Sequence, residues 1–278
     1  MPIPKKALVI EGGGMRSAYA SGALVALHDL GLRDFDVIAG TSAGAACAIN
    51  FVGGHPIRNF KILHEYLAGP RFIRYRNLFS KKNIVDVDYL LDEVLKKEIP
   101  LPLEEFLKGE ARVYINTTDC SSGQAVYFEA REPGLVEHLR ASCAMPYLYR
   151  RKVILNGRRH VDGGVSASIP IEKALQEKCD EIIVIGTRPK GYRKKPNPVG
   201  FLNYLFFPRY PNLAKALNQR WKIYNDTLDW LENPPANVKV ILIRPEGKLS
   251  VGRTTRDPKK IKAAYEMGYR DAQKALKK

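Results

Sequence analysis

No stretch of the 278 residues approaches the ~20 consecutive apolar residues that span a bilayer, and the opening Met1-Pro-Ile-Pro-Lys-Lys has no apolar core of the kind a secretory signal needs. The expectation is a cytoplasmic chain. Cysteine is scarce: Cys47, Cys120, Cys143 and Cys179 are scattered without paired spacing, which argues against a disulfide framework and against a zinc site. They read as small buried hydrophobes, and no metal or other cofactor is expected. Acidic charge is also short, at 29 Asp+Glu against 45 Lys+Arg, so the formal net charge is +16. Such a surface attracts polyanions, and both nucleic acid and anionic membrane qualify. A charge excess that serves only solubility is the plainer alternative, since net charge speaks to association and not to chemistry.

Nucleotide-binding signatures are missing too. There is no G-x-x-x-x-G-K-[ST], which excludes an ATPase P-loop. The glycine run at 12–14 lacks the third glycine of a dinucleotide fingerprint, where Ser17 stands, and the second strand ends in Gly40-Thr41-Ser42 where that fingerprint wants an acid.

What is present is an alternation of short apolar runs and small-residue helices. Ala7-Leu-Val-Ile runs into Gly12-Gly-Gly and an alanine-rich segment from Ser17 to Leu30; Phe35-Asp-Val-Ile-Ala is broken by glycine and followed by a second helix from Ala43 to Val52. A βαβα order predicts a parallel sheet covered by helices. Further strands are expected at Val113-Tyr-Ile-Asn-Thr, Ala125-Val-Tyr-Phe-Glu, Lys152-Val-Ile-Leu, Glu181-Ile-Ile-Val-Ile and Val238-Lys-Val-Ile-Leu-Ile, and helices near 57–68, 86–97, 134–144, 170–178, 212–231 and 258–277. One domain over 1–278 accounts for the whole chain, with an irregular excursion over about 188–211 and a C-terminal strand and helix over about 238–277. The excursion carries Lys190, Arg193, Lys194 and Lys195, then Phe201, Tyr204, Leu205, Phe206 and Phe207. Its aromatics argue against a linker, because they are costly to leave in water.

Two glycine motifs carry the chemistry. Gly40-Thr41-Ser42-Ala43-Gly44 is a G-x-S-x-G sequence where a strand turns into a helix. A serine on such a turn stands open at the carboxyl end of the sheet, and the helix N-terminus behind it favours developing negative charge. The alternative is a tight turn with Ser42 as helix N-cap. Gly12-Gly13-Gly14-Met15-Arg16 comes directly after the first strand, and its backbone N–H groups suit either a phosphate or the oxyanion of a tetrahedral intermediate. Ser42 also needs a proton acceptor. Of His28, His55, His64, His138 and His160, only His160 lies beside another candidate, two residues before Asp162 and on the same face of a strand. Asp162 is the better base, because Gly163-Gly164 opens the turn behind it; a plain Asp-Gly-Gly turn former is the alternative.

Taken together and in order, Gly12-Gly-Gly-Met-Arg, Gly40-Thr-Ser-Ala-Gly and Asp162-Gly-Gly resemble the three motifs of the patatin-like phospholipase family. Ala141-Ser-Cys-Ala-Met-Pro146 is similar to the helix end and proline that precede the aspartate in that family, and Ser168-Ile-Pro170 is similar to the segment just after it. The match covers roughly 7 to 187, and Arg244-Pro-Glu through Asp271 resembles the tail of a bacterial patatin-like subgroup. The resemblance implies a three-layer α/β/α sandwich with a mostly parallel central sheet and a Ser–Asp dyad without histidine. It implies Ser42 as nucleophile, Asp162 as base, and an oxyanion hole drawn from Gly12 to Arg16, with the amides of Gly13, Gly14 and Met15 as donors and Arg16 in support. Gly40 and Gly44 would shape the nucleophile elbow, and Gly163 and Gly164 the aspartate turn. Serine at 17 departs from the glycine usual there, although serine is a competent N-cap.

The expected function is therefore lipid acyl-ester hydrolysis of the phospholipase A, lysophospholipase or carboxylesterase type. The competing reading is a basic nucleic-acid- or lipid-binding module without catalysis, drawn from the charge and from Arg71-Phe-Ile-Arg-Tyr-Arg-Asn-Leu-Phe-Ser-Lys-Lys, where cations and aromatics interleave. No nucleic-acid motif supports a specific nucleic-acid partner, and no feature sets the oligomeric state. Peripheral contact with anionic lipid at the inner membrane face is expected through the 188–211 excursion and the Arg71–Lys82 stretch.

Overall fold

The computed structural model describes residues 4–277, so Met1, Pro2 and Ile3 of the N-terminal segment that lacks a signal core lie outside the described residues, as does Lys278. An eight-stranded sheet is built from β1 (Lys6–Ile10), β2 (Val37–Thr41), β3 (Arg112–Asp119), β4 (Ala125–Glu129), β5 (Val153–Leu155), β6 (Arg158–Asp162), β7 (Glu181–Ile185) and β8 (Lys239–Ile243). The strands take the order β5-β6-β3-β2-β1-β7-β8, with β4 also paired to β3. Strands β3, β2, β1, β7 and β8 are mutually parallel, whereas β4, β5 and β6 run antiparallel to their neighbours.

Both faces of the parallel strands are covered, which is why they read as continuous apolar runs. Leu8, Ile10, Ile38, Val113 and Ile115 face one layer, formed by α1 (Ser17–Asp29), α2 (Ala43–Val52), α3 (Ile57–Lys61), α4 (Leu103–Lys108), α5 (Leu135–Cys143) and a long C-terminal helix. The alternate residues Ala7, Val9, Val37, Ala39 and Tyr114 face α6 (Ile171–Gln176) and the long α8 (Pro211–Glu232), which comes after a single helical turn, α7 (Leu202–Phe206). The result is the three-layer sandwich that the resemblance implies. The C-terminal helix, α9 (Pro258–Leu276), lies on α1 and is tied to it by the Tyr19 hydroxyl, which donates to Asp271 at 3.0 Å.

Three differences from the sequence expectations have physical causes. The expected helix at 57–68 is α-helical only over α3 and then widens into a π-helix, Ile62–Leu67; the one at 86–97 is also a π-helix, Tyr89–Glu98. Apolar spacing is blind to this, because i→i+4 and i→i+5 windings leave similar patterns over two turns. Helices α4 and α7 carry no sequence signal, because six and five residues are too short to establish a period. Finally, the 188–211 excursion is not irregular throughout, since α7 lies within it.

The register of β3 positions the site. Over 114–118 one edge of β3 pairs with β4, so its other partners share the opposite edge: β2 meets residues 112–116 and β6 meets 117–119. Thr41, the last residue of β2, lies opposite Asn116; Asp162, the last of β6, lies opposite Thr117. Two strands running toward each other thus end at adjacent positions of a third.

Candidate active site

Ser42 comes directly after β2 and opens α2 with φ 55° and ψ −126°, in the left-handed range that L-residues seldom enter. The turn is tight enough that glycine is required on either side: a Cβ at Gly40 would lie 2.6 Å from the Ala45 Cα, and one at Gly44 would lie 2.6 Å from the Ile10 carbonyl. Ser42 occupies the N-cap position, but its side chain makes no capping hydrogen bond, so the N-cap alternative fails. Its backbone N–H instead donates to the Ser142 hydroxyl at 2.8 Å, and that hydroxyl donates to the Asn116 carbonyl at 2.6 Å. The Asn116 amide donates to Thr41 Oγ1, to the Gly163 carbonyl and to the Ala167 carbonyl, at 3.0, 3.1 and 2.8 Å. A buried polar network therefore ties the serine turn to the Asp-Gly-Gly turn, and such networks rigidify what they join.

Ser42 and Asp162 line the same cavity, and the Ser42 hydroxyl is near enough to favour the ionised Asp162 carboxylate. Asp162 is buried, and its Oδ1 accepts the Gly164 N–H at 2.7 Å. Burial pushes its carboxyl above the ordinary value, against the opposing pull of the Arg220 guanidinium, the Gly164 amide, Ser42 and Arg253. Asp162 thus forms its own turn and lines the cavity at Ser42. His160 is buried elsewhere, with Nδ1 2.9 Å from Thr117 Oγ1 and its ring against Phe128, and burial lowers its pKa. None of the five histidines lines the cavity at Ser42.

The glycine loop departs from the expected donor set. The Gly12 N–H donates to the Ser168 carbonyl at 3.1 Å, Met15 to the Arg253 carbonyl at 3.1 Å, and Arg16 to the Gly13 carbonyl at 3.3 Å. Those three amides are consumed, Arg16 within the 3₁₀ turn Gly14–Arg16 and Gly12 and Met15 by carbonyls of distant segments packed on the loop. Gly13 and Gly14 remain as the amides without an internal acceptor among the described residues, and both line the cavity with Ser42. Gly14 holds φ 56° and packs against the Arg253 backbone, where a Cβ would lie 2.6 Å from the carbonyl oxygen. Arg16 supports the loop from beneath: it is buried, its Nε donates to Thr187 Oγ1 at 3.3 Å, and it does not line the cavity. Ser17 is no N-cap either, since its hydroxyl donates to the Gly14 carbonyl at 2.7 Å.

Two cavities meet at Ser42. The more polar of the two, about 170 Å³, is lined by Gly13, Gly14, Ser42, Asp162, Arg220 and Arg253 and also by Met145, Tyr147, Leu148 and Leu217. An apolar one of about 60 Å³ runs from Ser42 between α2 and the two π-helices, past Leu63, Leu67, Phe72, Val87, Leu90 and Leu95. Arg220 and Arg253 carry no sequence signal, because an arginine on an amphipathic helix and another in a basic loop both read as solvated. Ser142 and Asn116 have none beyond the helix-end resemblance.

Residues 8–175 match the family model described as patatin-like phospholipase. The chain belongs to that family. This patatin-like chain is accordingly an ester-bond hydrolase. Residues 210–278 match a second model, a domain of unknown function. An uncharacterized protein of Escherichia coli, YjjU, is 27% identical over 268 residues, covering 94% of this chain and 74% of its own. Mouse Pnpla3, named 1-acylglycerol-3-phosphate O-acyltransferase, is 29% identical over 61% of this chain, which spans only 42% of that protein. A probable lipid hydrolase of Invertebrate iridescent virus 6, 463L, is 25% identical over 68% of this chain and 72% of its own. Among solved structures, VipD from Legionella pneumophila shares the fold, with a TM-score of 0.51 and 14% identity over 99% of this patatin-like chain and 67% of VipD.

Proposed function

We propose that this chain cleaves lipid acyl esters through a Ser42–Asp162 dyad, with the Gly13 and Gly14 amides as the oxyanion hole, all within one folding unit. The observation that carries the reading is that Ser42 and a buried Asp162, whose carboxyl is pushed above its ordinary value by burial, line one cavity where it joins an apolar one. Ser42 Oγ attacks the ester carbonyl carbon while its proton passes to Asp162. The carbonyl oxygen becomes an oxyanion facing the two free amides, which are worth most in the transition state. The bond to the alcohol breaks, and the protonated Asp162 returns its proton to the leaving oxygen. Water then attacks the acyl-serine with Asp162 again accepting a proton, releasing the fatty acid and restoring Ser42.

The apolar cavity is the acyl channel in this mechanism. Ala46→Phe, on the α2 wall of that cavity, is expected to lower kcat/KM for a dodecanoyl ester by about tenfold or more while a butyryl ester changes by less than about threefold, since each buried methylene contributes ~0.8 kcal/mol. Equal losses on both esters would remove the channel assignment.

The lipid face is proposed to surround the mouth, with two of the cations of the 188–211 excursion turned to internal partners. Arg193 is ion-paired with Asp229 and Glu232, and Lys194 lies over the Tyr224 ring with Nζ 3.0 Å from Ser168 Oγ. Exposed apolar side chains stand there instead: Phe79 is 96% and Leu205 70% exposed, with Phe201 and Phe206 close behind. Tyr147, which lines the polar cavity, packs on Phe206 and Phe207 at 5.4 Å each, and Arg150 donates to the Leu78 carbonyl, so both patches flank one loop. Arg76, Lys81, Lys82, Arg150 and Arg209 are exposed around them. Sedimentation with anionic vesicles should show salt-sensitive binding that weakens about tenfold in a Phe79→Ser, Leu205→Ser variant. Unchanged binding in that variant would leave the patches without a membrane role.

A further inference from the structure

The polar cavity contains more positive charge than ester hydrolysis requires. Asp162 is the one carboxylate residue lining it, together with Arg220 and Arg253, whose charges both act on Asp162 and on each other. Arg220 is committed on one side only: its Nε donates to the Gly164 carbonyl, which holds the head in place beside Asp162. A Cβ at Gly164 would lie 2.8 Å from Asp162 Oδ1 and 3.4 Å from Arg220 Nη2, so carboxylate and guanidinium both pack close against the Gly164 turn. Arg253 is different. Its backbone carbonyl clamps the oxyanion loop through Met15, while among the described residues no hydrogen bond or ion pair engages its guanidinium. The loop that carries it is fixed, because the Gly252 N–H donates to Thr255 Oγ1 at 2.8 Å and the Tyr75 hydroxyl donates to the Thr254 carbonyl at 3.0 Å.

These charges are not left over from folding. Arg16 and Glu11 already balance beneath the loop, where Glu11 takes the Thr187 N–H and the Tyr224 hydroxyl. Lys194, which borders the same region, is driven down to about 6 by burial and by repulsion from Arg220, Arg253 and Arg16. Planar forks are the side chains suited to holding the oxygens of a phosphate by paired hydrogen bonds.

We propose that Arg220 and Arg253 bind the phosphate of a glycerophospholipid substrate, and that the preferred class carries a terminal phosphomonoester on the glycerol, as in 1-acylglycerol-3-phosphate. This rests on the acyl-hydrolase reading and deepens it. A dianionic phosphomonoester, with its charge and its free oxygens, answers two guanidinium groups better than the single charge of a phosphodiester does. With the acyl chain in the apolar cavity and the carbonyl at Ser42, the three-carbon glycerol places its phosphate in the polar one. Both arginines lie within 210–278, the region matched by a domain of unknown function, so that region supplies headgroup recognition and the clamp on the oxyanion loop.

The test compares decanoyl-glycerol-3-phosphate with decanoylglycerol, both below their aggregation concentrations, using the full chain as wild type, Arg253→Gln and Arg253→Lys. Wild type is expected to favour the phosphate ester in kcat/KM, and that ratio is expected to fall about ten- to a hundredfold in Arg253→Gln and less in Arg253→Lys, which keeps the charge but loses the fork. Glycerol 3-phosphate should inhibit wild type competitively and more strongly than inorganic phosphate, which separates a headgroup site from a generic anion site. A wild type with no preference for the phosphate ester, a ratio unchanged in Arg253→Gln, or inorganic phosphate as the equal of glycerol 3-phosphate would each overturn the proposal. Should Arg253→Gln fail to fold, the wild-type ratio and the inhibition still decide. Hydrolysis of decanoylglycerol alone would sink this inference and leave the acyl-hydrolase reading standing, whereas hydrolysis of neither ester would sink both.

Discussion

Ser42→Ala is expected to lower kcat on an activated short-chain ester by about ten-thousandfold or more, with the thermal unfolding midpoint within a few degrees of wild type. The change removes one oxygen. Alanine keeps the backbone N–H that donates to Ser142 and meets the same cost as serine at φ 55°, so the turn itself has no reason to open. The Gly13 and Gly14 amides and both cavities remain, and whatever activity persists measures what positioning alone supplies. Steady-state turnover on the purified variant checks this, and undiminished turnover would place the nucleophile elsewhere.

Asp162→Asn is expected to cost about a thousandfold in kcat. Asparagine is nearly isosteric and its carbonyl oxygen still accepts the Gly164 N–H, but it cannot take the serine proton. The same assignment fixes a pH dependence. Only the ionised carboxylate accepts a proton, so kcat/KM should rise with pH through the Asp162 pKa. Burial raises that pKa above the ordinary 3.8, so the acid limb should lie higher than for a solvent-exposed aspartate. Arg220→Gln removes a cation that pulls the pKa down, and should move the limb higher still. His160→Ala should leave turnover within about tenfold and the limb in place, because that imidazole is bonded to Thr117 outside the cavity. A limb that vanished with His160 would require a histidine-based mechanism instead.

The strands were legible because they are buried on both faces, which gives runs such as Leu8-Val9-Ile10 and Ile182-Ile183-Val184 that little else produces. The serine turn was legible because its constraints are local: a strand end, two glycines that cannot carry a Cβ, and a helix start within five residues. The oxyanion loop was only half legible. Five consecutive residues offered amides, but which amides stay free depends on Ser168 and Arg253, and no local pattern encodes those partners. The same holds for the cationic cavity. Arg220 and Arg253 acquire their role from the packing of α8 and the loop before α9 around the Asp-Gly-Gly turn, more than fifty residues away along the chain. In the excursion, composition does not distinguish four nearby cations that the fold separates: Arg193 is engaged in ion pairs and Lys194 with Tyr224 and Ser168, while Lys190 and Lys195 are exposed.

The dyad is tested most directly by reacting the protein with an alkyl fluorophosphonate and mapping the adduct by peptide mass spectrometry. The reagent needs an activated serine, an oxyanion hole and an apolar channel at once, so its position reports all three. One adduct per chain is expected on the peptide containing Ser42, with none in Ser42→Ala and labelling slowed about a thousandfold in Asp162→Asn. A stoichiometric adduct on any other residue, or labelling that persists in Ser42→Ala, would contradict the dyad.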